Sequence, residues 1–248
     1  MSGPFFKILL SSFFIVVLTG SGSAQPSSRD RPEEDSLSWY IQMKYGLDQE
    51  LYKGIQYYKR YLHYKGDPCF PDDHYYTGSV TLKGITYPDL QLKYDCYSQH
   101  LILGYTDFRK QYNELIINSI LIDSFSLGNY RFRNTALSDP RVLFYQVLES
   151  GPVTCFVHWN REIHTTHNDL RYPYEYTGPI GAYYIGYRGR IYPVTNRKDF
   201  ILIFPEPLQQ EIKRYFRRHR LRFRDAGPDE IQNLLNFISS LPETIPGT

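Results

Sequence analysis

The stretch LQLKYDCY, residues 90–97, places Leu90, Leu92, Tyr94 and Cys96 at one parity and Gln91, Lys93 and Asp95 at the other. Successive side chains of a β-strand point to opposite sides, so the strip reads as a strand with one oily face and one polar face. On this reading Lys93 and Asp95 meet water, and the strand belongs to a structural sheet.

Turn residues recur on both sides of it. GSVTL (78–82) and ITYPDLQLKYDCY (85–97) flank Lys83 and Gly84; HLILGY (100–105) follows Ser98 and Gln99. DSFSL (123–127) and YRF (130–132) flank Gly128 and Asn129, and RVLFYQVLE (141–149) and VTCFVHW (153–159) flank Ser150, Gly151 and Pro152. Short β-prone runs between such turns describe successive hairpins of a meandering antiparallel sheet. Lys-Gly is a weak hairpin signal, because a type I′ turn needs positive φ at both central residues. Pro88 has no amide hydrogen to give, which puts its strand on an edge or starts it later. YYIGYRGRIYPV (183–194) forms a last hairpin around Arg188 and Gly189, after the long Tyr- and Gly/Pro-rich connection of residues 168–183.

The period then changes. Asn196 is a candidate N-cap for a short helix with Asp199 in its first turn. Leu208, Ile212, Tyr215 and Phe216 fall on one helical face, and Pro228 opens a second helix with the stripe Ile231, Leu234, Leu235 and Ile238. Upstream, Leu47, Leu51 and Ile55 stand four apart, as in one or two helical turns interrupted by Gly54. The loop KGDPCFPDDHYY (65–76) follows. The expected fold is α+β: a mainly antiparallel β-sheet meander with two or three C-terminal amphipathic helices packed on it. It forms a single domain over residues 37–248, β-rich over 76–194 and helical over 196–241.

Residues 1–24 have one charge, Lys7, an apolar run from Ile8 to Thr19, and small residues up to Ala24. That is the pattern of a secretory signal peptide, and its apolar run is below the roughly 20 residues of a spanning helix. Residues 25–36 are polar and read as a flexible mature N-terminus. With Lys7 removed, 27 cationic residues stand against 26 anionic ones, a formal charge of +1 that sets up no global field for nucleic acid. No transmembrane helix is expected after cleavage, so the protein is read as exported, periplasmic or associated with the cell surface. Three cysteines, Cys69, Cys96 and Cys155, exclude a disulfide framework and leave at most one bridge. Cys96 and Cys155 share parity with apolar neighbours and read as core residues.

Four constellations carry possible chemistry. Tyr172, Tyr174, Tyr176 and Tyr184 crowd the long connection and the strand after it, and aromatic faces of this kind stack on sugars or meet proteins. Arg214, Arg217 and Arg218 lie in a basic run from Lys213 to Arg224 suited to anion contact, or simply to a solvated helix face. His158, Glu162 and His164 share a parity if their strand continues, and with His167 reaching back they would converge on a metal, although the spacing matches no zinc motif. Asp72, Asp73, Asp95 and Glu162 are acids that would need pairing across the fold for glycoside chemistry. No Ser or Cys elbow and no phosphate-binding glycine loop occurs.

In GSVTLKGITYPDLQLKYDCYSQHLIL (78–103), LIDSFSLGNYRF (121–132) and IYPVTNRKDFILIFPEPLQQEIKRYFRRHRLRF (191–223), the chain resembles a group of uncharacterised exported proteins of Bacteroidetes-type bacteria. The shared order is a Tyr-Gly segment, a G-D-P loop, an L-K-Y-D strand, a D-S-F strand and a basic helix. The resemblance implies export and one domain over residues 45–240, and it carries over no site residue. Together these readings describe an exported binding protein without a cofactor, whose partner is an envelope protein or a glycan. The alternative is a secreted hydrolase, metal-dependent or not, using residues 158–169.

Overall fold

The computed structural model describes residues 49–59, 63–107, 109–137, 144–166, 170–223 and 226–242. The expected leader and flexible terminus lie outside them, as do His167, Asp169 and Arg224. Among the described residues no helix is long and apolar enough to cross a membrane.

A single turn of helix, α1 (Gln49–Tyr52), leads into the short strands β1 (Ile55–Gln56), β2 (Tyr64–Lys65) and β3 (Cys69–Phe70). The meander follows: β4 (Tyr76–Leu82), β5 (Ile85–Asp95), β6 (His100–Thr106), β7 (Tyr112–Ile116), β8 (Ile122–Leu127), β9 (Tyr130–Asn134), β10 (Phe144–Ser150) and β11 (Val153–Asn160). Then come β12 (Ile163–Thr165), β13 (Tyr174–Tyr176), β14 (Ile180–Tyr187) and β15 (Arg190–Val194). Helices α2 (Arg197–Leu202), α3 (Glu206–Arg218) and α4 (Pro228–Ser240) close the described chain. One sheet runs β1-β7-β6-β5-β4-β8-β9-β10-β11-β14-β15, with β3 added beside β5, and β12-β13-β2 make a smaller one. This is the expected antiparallel meander with helices on it.

The hairpin signals hold in detail. Lys83 and Gly84 both take positive φ, 49° and 82°, so a lysine accepts the left-handed conformation that the two-residue turn demands. Pro88 stands beside Asp89 at φ 55°, where β5 has one residue more than β4 between Tyr87 and Leu90. That is a bulge, and β6 pairs only with residues 91–95, so Pro88 has no ladder partner to fail on that side. Asn196 caps α2 by accepting from the amides of Lys198 and Asp199.

The sheet curls. A flat sheet would hold β5 and β10, four strand spacings apart, about 19 Å from each other. Yet the Tyr94 ring lies 5.2 Å from Phe132 of β9 and 6.0 Å from Phe144 of β10. The oily parity of the opening strip therefore sits inside an aromatic core. Phe125 stacks on Phe132 at 4.6 Å, and Phe70 stacks on Trp159 at 4.6 Å. Ile231, Leu234, Leu235 and Ile238 of α4 cover the same core on the side of β10 and β11, and Ile212 and Phe216 of α3, packed beside α2 and α4, join it.

Three expectations need correcting. Lys93 and Asp95 do not meet water: they are 6% and 3% exposed, because Tyr57, Asp73 and Tyr75 lie over Lys93, and Gln56, Tyr57 and Tyr58 lie beside Asp95. Ile55 is not a helical residue but an exposed position in β1, and Gly54 marks a close approach, since a Cβ there would collide with the Ile116 carbonyl. The stretch 65–76 is not loop throughout, as Cys69 and Phe70 form β3, are buried and pair with Asp95 and Tyr94.

Candidate functional site

The buried face of β5 is built around one ammonium. Lys93 Nζ lies 2.9 Å from Asp73 Oδ1 and 3.9 Å from Glu114 Oε1, with the Tyr75 ring centroid at 4.6 Å and that of Tyr57 at 5.9 Å. Asp73 also takes Lys59 Nζ at 2.8 Å, and Tyr75 donates its hydroxyl to Glu114. Gly104 of β6 makes the space, because a side chain there would run into Tyr75 and Tyr112. Burial alone would raise the Asp73 carboxyl, but the hydrogen bonds from Lys59 and Lys93 outweigh it and hold the group below the ordinary aspartate value. For Lys93, burial is likewise outweighed by Asp73, and the ammonium is held above its ordinary pKa. A lysine kept charged in this way is a fastener, neither base nor nucleophile.

The three thiols are free and buried. Burial pushes Cys69 well above its ordinary pKa despite the nearby Lys93, pushes Cys96 up to about 12, and raises Cys155. Since the thiolate is the reactive form, each behaves as a small core residue.

Asp95 differs. Burial raises its carboxyl, only partly offset by the Ser98 amide, which donates to Oδ1 at 2.8 Å. It lines a pocket of about 160 Å³ with Gln56, Tyr57, Tyr58, Ser98 and His100. That volume is below the roughly 300 Å³ at which small-molecule sites begin, so the pocket has room for a few waters.

Arg161 is the second buried cation. Its guanidinium donates to the carbonyls of Cys69 at 2.8 Å, Thr177 at 2.9 Å and Pro71 at 3.1 Å, and lies 3.7 Å from Asp67. This fork ends β11 at Asn160 and breaks the run on which His158, Glu162 and His164 were to share a parity. His158 is half-buried on β11, opposite Ala182 and 5.9 Å from the Tyr145 ring; His164 is exposed on β12 of the other sheet, opposite Glu175. Among the described residues no three His, Cys, Asp or Glu side chains gather as a metal site. Of the acids, Asp72 binds His74 Nδ1 at 2.9 Å, while Asp73 is held by two lysines.

The tyrosines divide. The long connection contains a strand, β13, that pairs with β12 and runs parallel to β2. Tyr174 stacks on Tyr64 at 4.9 Å and 23°, and Tyr172 and Tyr174 are 42% and 40% exposed. Tyr176 is buried beside Tyr64 and Tyr97. Tyr184 stands apart on β14, edge-on to Tyr145 at 5.7 Å. Arg214, Arg217 and Arg218 are exposed at the end of α3, with Arg214 paired to Glu211 and Arg217 donating to the Lys213 carbonyl.

Sequence reasoning missed Tyr64, Arg161, Tyr75 and Glu114. Gly104 was a usable signal, because a glycine inside an apolar strand marks close approach. No family model, curated protein or solved structure matches the chain.

Proposed function

We propose that the protein is an exported, non-enzymatic binding domain of the cell envelope, and that a protein or glycan partner docks on the three-stranded sheet β12-β13-β2. The observation that carries this is the Tyr64–Tyr174 stack, with exposed Tyr172 in the segment leading into β13. Stacked rings lose little freedom on binding and offer a broad amphipathic face, the chemistry that suits sugar rings and protein interfaces alike. Lys65 and Glu175, 3.1 Å apart, are register partners in the two strands that present the rings. The protonated thiols and the fastened Lys93 favour binding over nucleophilic catalysis. Export rests on the leader-like residues 1–24 and on the resemblance to exported proteins.

Retention of the purified protein on envelope extracts and on immobilised glycans tests the reading. Tyr174→Ala and Tyr172→Ala should each weaken it, with thermal melting showing the fold intact. Retention equal to wild type in both variants would remove this face from consideration.

A further inference from the structure

We propose a second site, independent of the tyrosine face: the open groove across β4, β8, β9 and β10 binds an acidic oligosaccharide. The groove has a volume of about 820 Å³, within the roughly 300–1,000 Å³ of small-molecule sites. It spans four neighbouring strands, roughly 14 Å at the usual strand spacing, so it suits an elongated ligand.

Its lining follows from strand parity. Phe125 and Phe132 turn into the core, so the residues between and beside them turn outward. Ser124 faces Arg133 and Ser126 faces Arg131 across the β8–β9 ladder, and Ser79 of β4 adds a third hydroxyl, 3.0 Å from that of Ser126. Gln232 of α4 closes one end, tied to the Glu149 carbonyl at 3.1 Å. The floor is rigid because each strand is paired on both sides.

The charge points to an anion. Among the described residues the Arg131 side chain has no hydrogen-bond or ion-pair partner, and that of Arg133 has only Glu149, at 3.8 Å with both side chains more than half exposed. Such a pair is weakly held, and two guanidinium groups against one carboxylate leave the groove cationic. Serine hydroxyls and the Gln232 amide match sugar hydroxyls. Single-stranded nucleic acid is held by aromatic platforms for its bases, and the groove's aromatic rings lie in the core beneath it.

Calorimetric titration of the full chain with the trisaccharide of galacturonic acid tests this, with cellotriose as the neutral control. Binding is expected for the acidic sugar, should weaken with added salt, and should fall about tenfold or more in Arg131→Gln/Arg133→Gln. Tyr174→Ala should bind it as wild type does, which separates this site from the tyrosine face. No binding of the acidic sugar, equal binding of cellotriose, or undiminished binding by the folded double variant overturns the proposal. So does complete displacement by equimolar inorganic phosphate, which would reveal a simple anion site.

Discussion

Lys93 on β5 and Arg133 on β9 occupy the same kind of position: a cation on the outward parity of a strand in one sheet, behind an aromatic core. Their fates differ. The Lys93 side chain is 7% exposed and engages Asp73, Glu114 and Tyr75, whereas that of Arg133 is 56% exposed and meets only Glu149. Tyr57, Asp73 and Tyr75 lie over the first, and among the described residues nothing covers the second in the same way. Parity decides which face a residue is on; coverage decides whether that face is solvent. A covered charge must be neutralised by geometry, and an open one is free to bind.

Lys93→Ala leaves Asp73 and Glu114 without their shared cation, and should cost about 3 kcal/mol in urea denaturation. That corresponds to a drop of roughly 6–12 °C in melting temperature for a chain of this size. A loss no greater than that of Arg133→Ala would mean that the cover does not matter energetically. Gly104→Ala is expected to cost about 1 kcal/mol, since its methyl would press on Tyr75 and Tyr112. Gly186→Ala, where a Cβ would meet its neighbours at 3.5 Å or beyond, should be near neutral. Equal melting of the two variants would show that the tyrosines over Lys93 are not packed as described.

Asp95 sharpens the contrast through pH. Its native pKa is raised above the ordinary 3.8, so between those two values the native state holds a proton that the unfolded chain has lost, and stability falls as pH rises. Asp95→Asn keeps the acceptor for the Ser98 amide and removes that slope, so the variant should gain on wild type as pH increases from 4. Asp73 works in the opposite sense: its pKa is depressed, and its contribution is present above 3.8 and lost as pH falls through the depressed value. A pH–stability profile unchanged in Asp95→Asn would contradict the burial of that carboxyl. The smallest effect belongs to Arg133→Ala, expected within about 0.5 kcal/mol of wild type.

Much of the architecture was legible because it rests on local rules. Gly128 and Gly189 take positive φ at the tips of their hairpins, Asn196 caps its helix, and the α4 stripe Ile231, Leu234, Leu235 and Ile238 is buried as spaced. The sites were less legible. Tyr172 and Tyr174 were placed on the surface by composition, but Tyr64, on which Tyr174 stacks, is more than a hundred residues away along the chain, and no period in the sequence links the two rings. His158 and His164 were counted on one strand because the interruption at Arg161 comes from carbonyls of residues 69, 71 and 177, contacts without any local signature.

Which residues share a face follows from the order of amino acids, since alternation along a strand and the helical stripe are properties of neighbouring residues and backbone geometry. Which polar faces are sealed and which stay open is set by the folded arrangement, because the lid over Lys93 and Asp95 comes from a separate, irregular stretch of chain. Its placement is set by ion pairs and ring contacts that only the folded arrangement brings together.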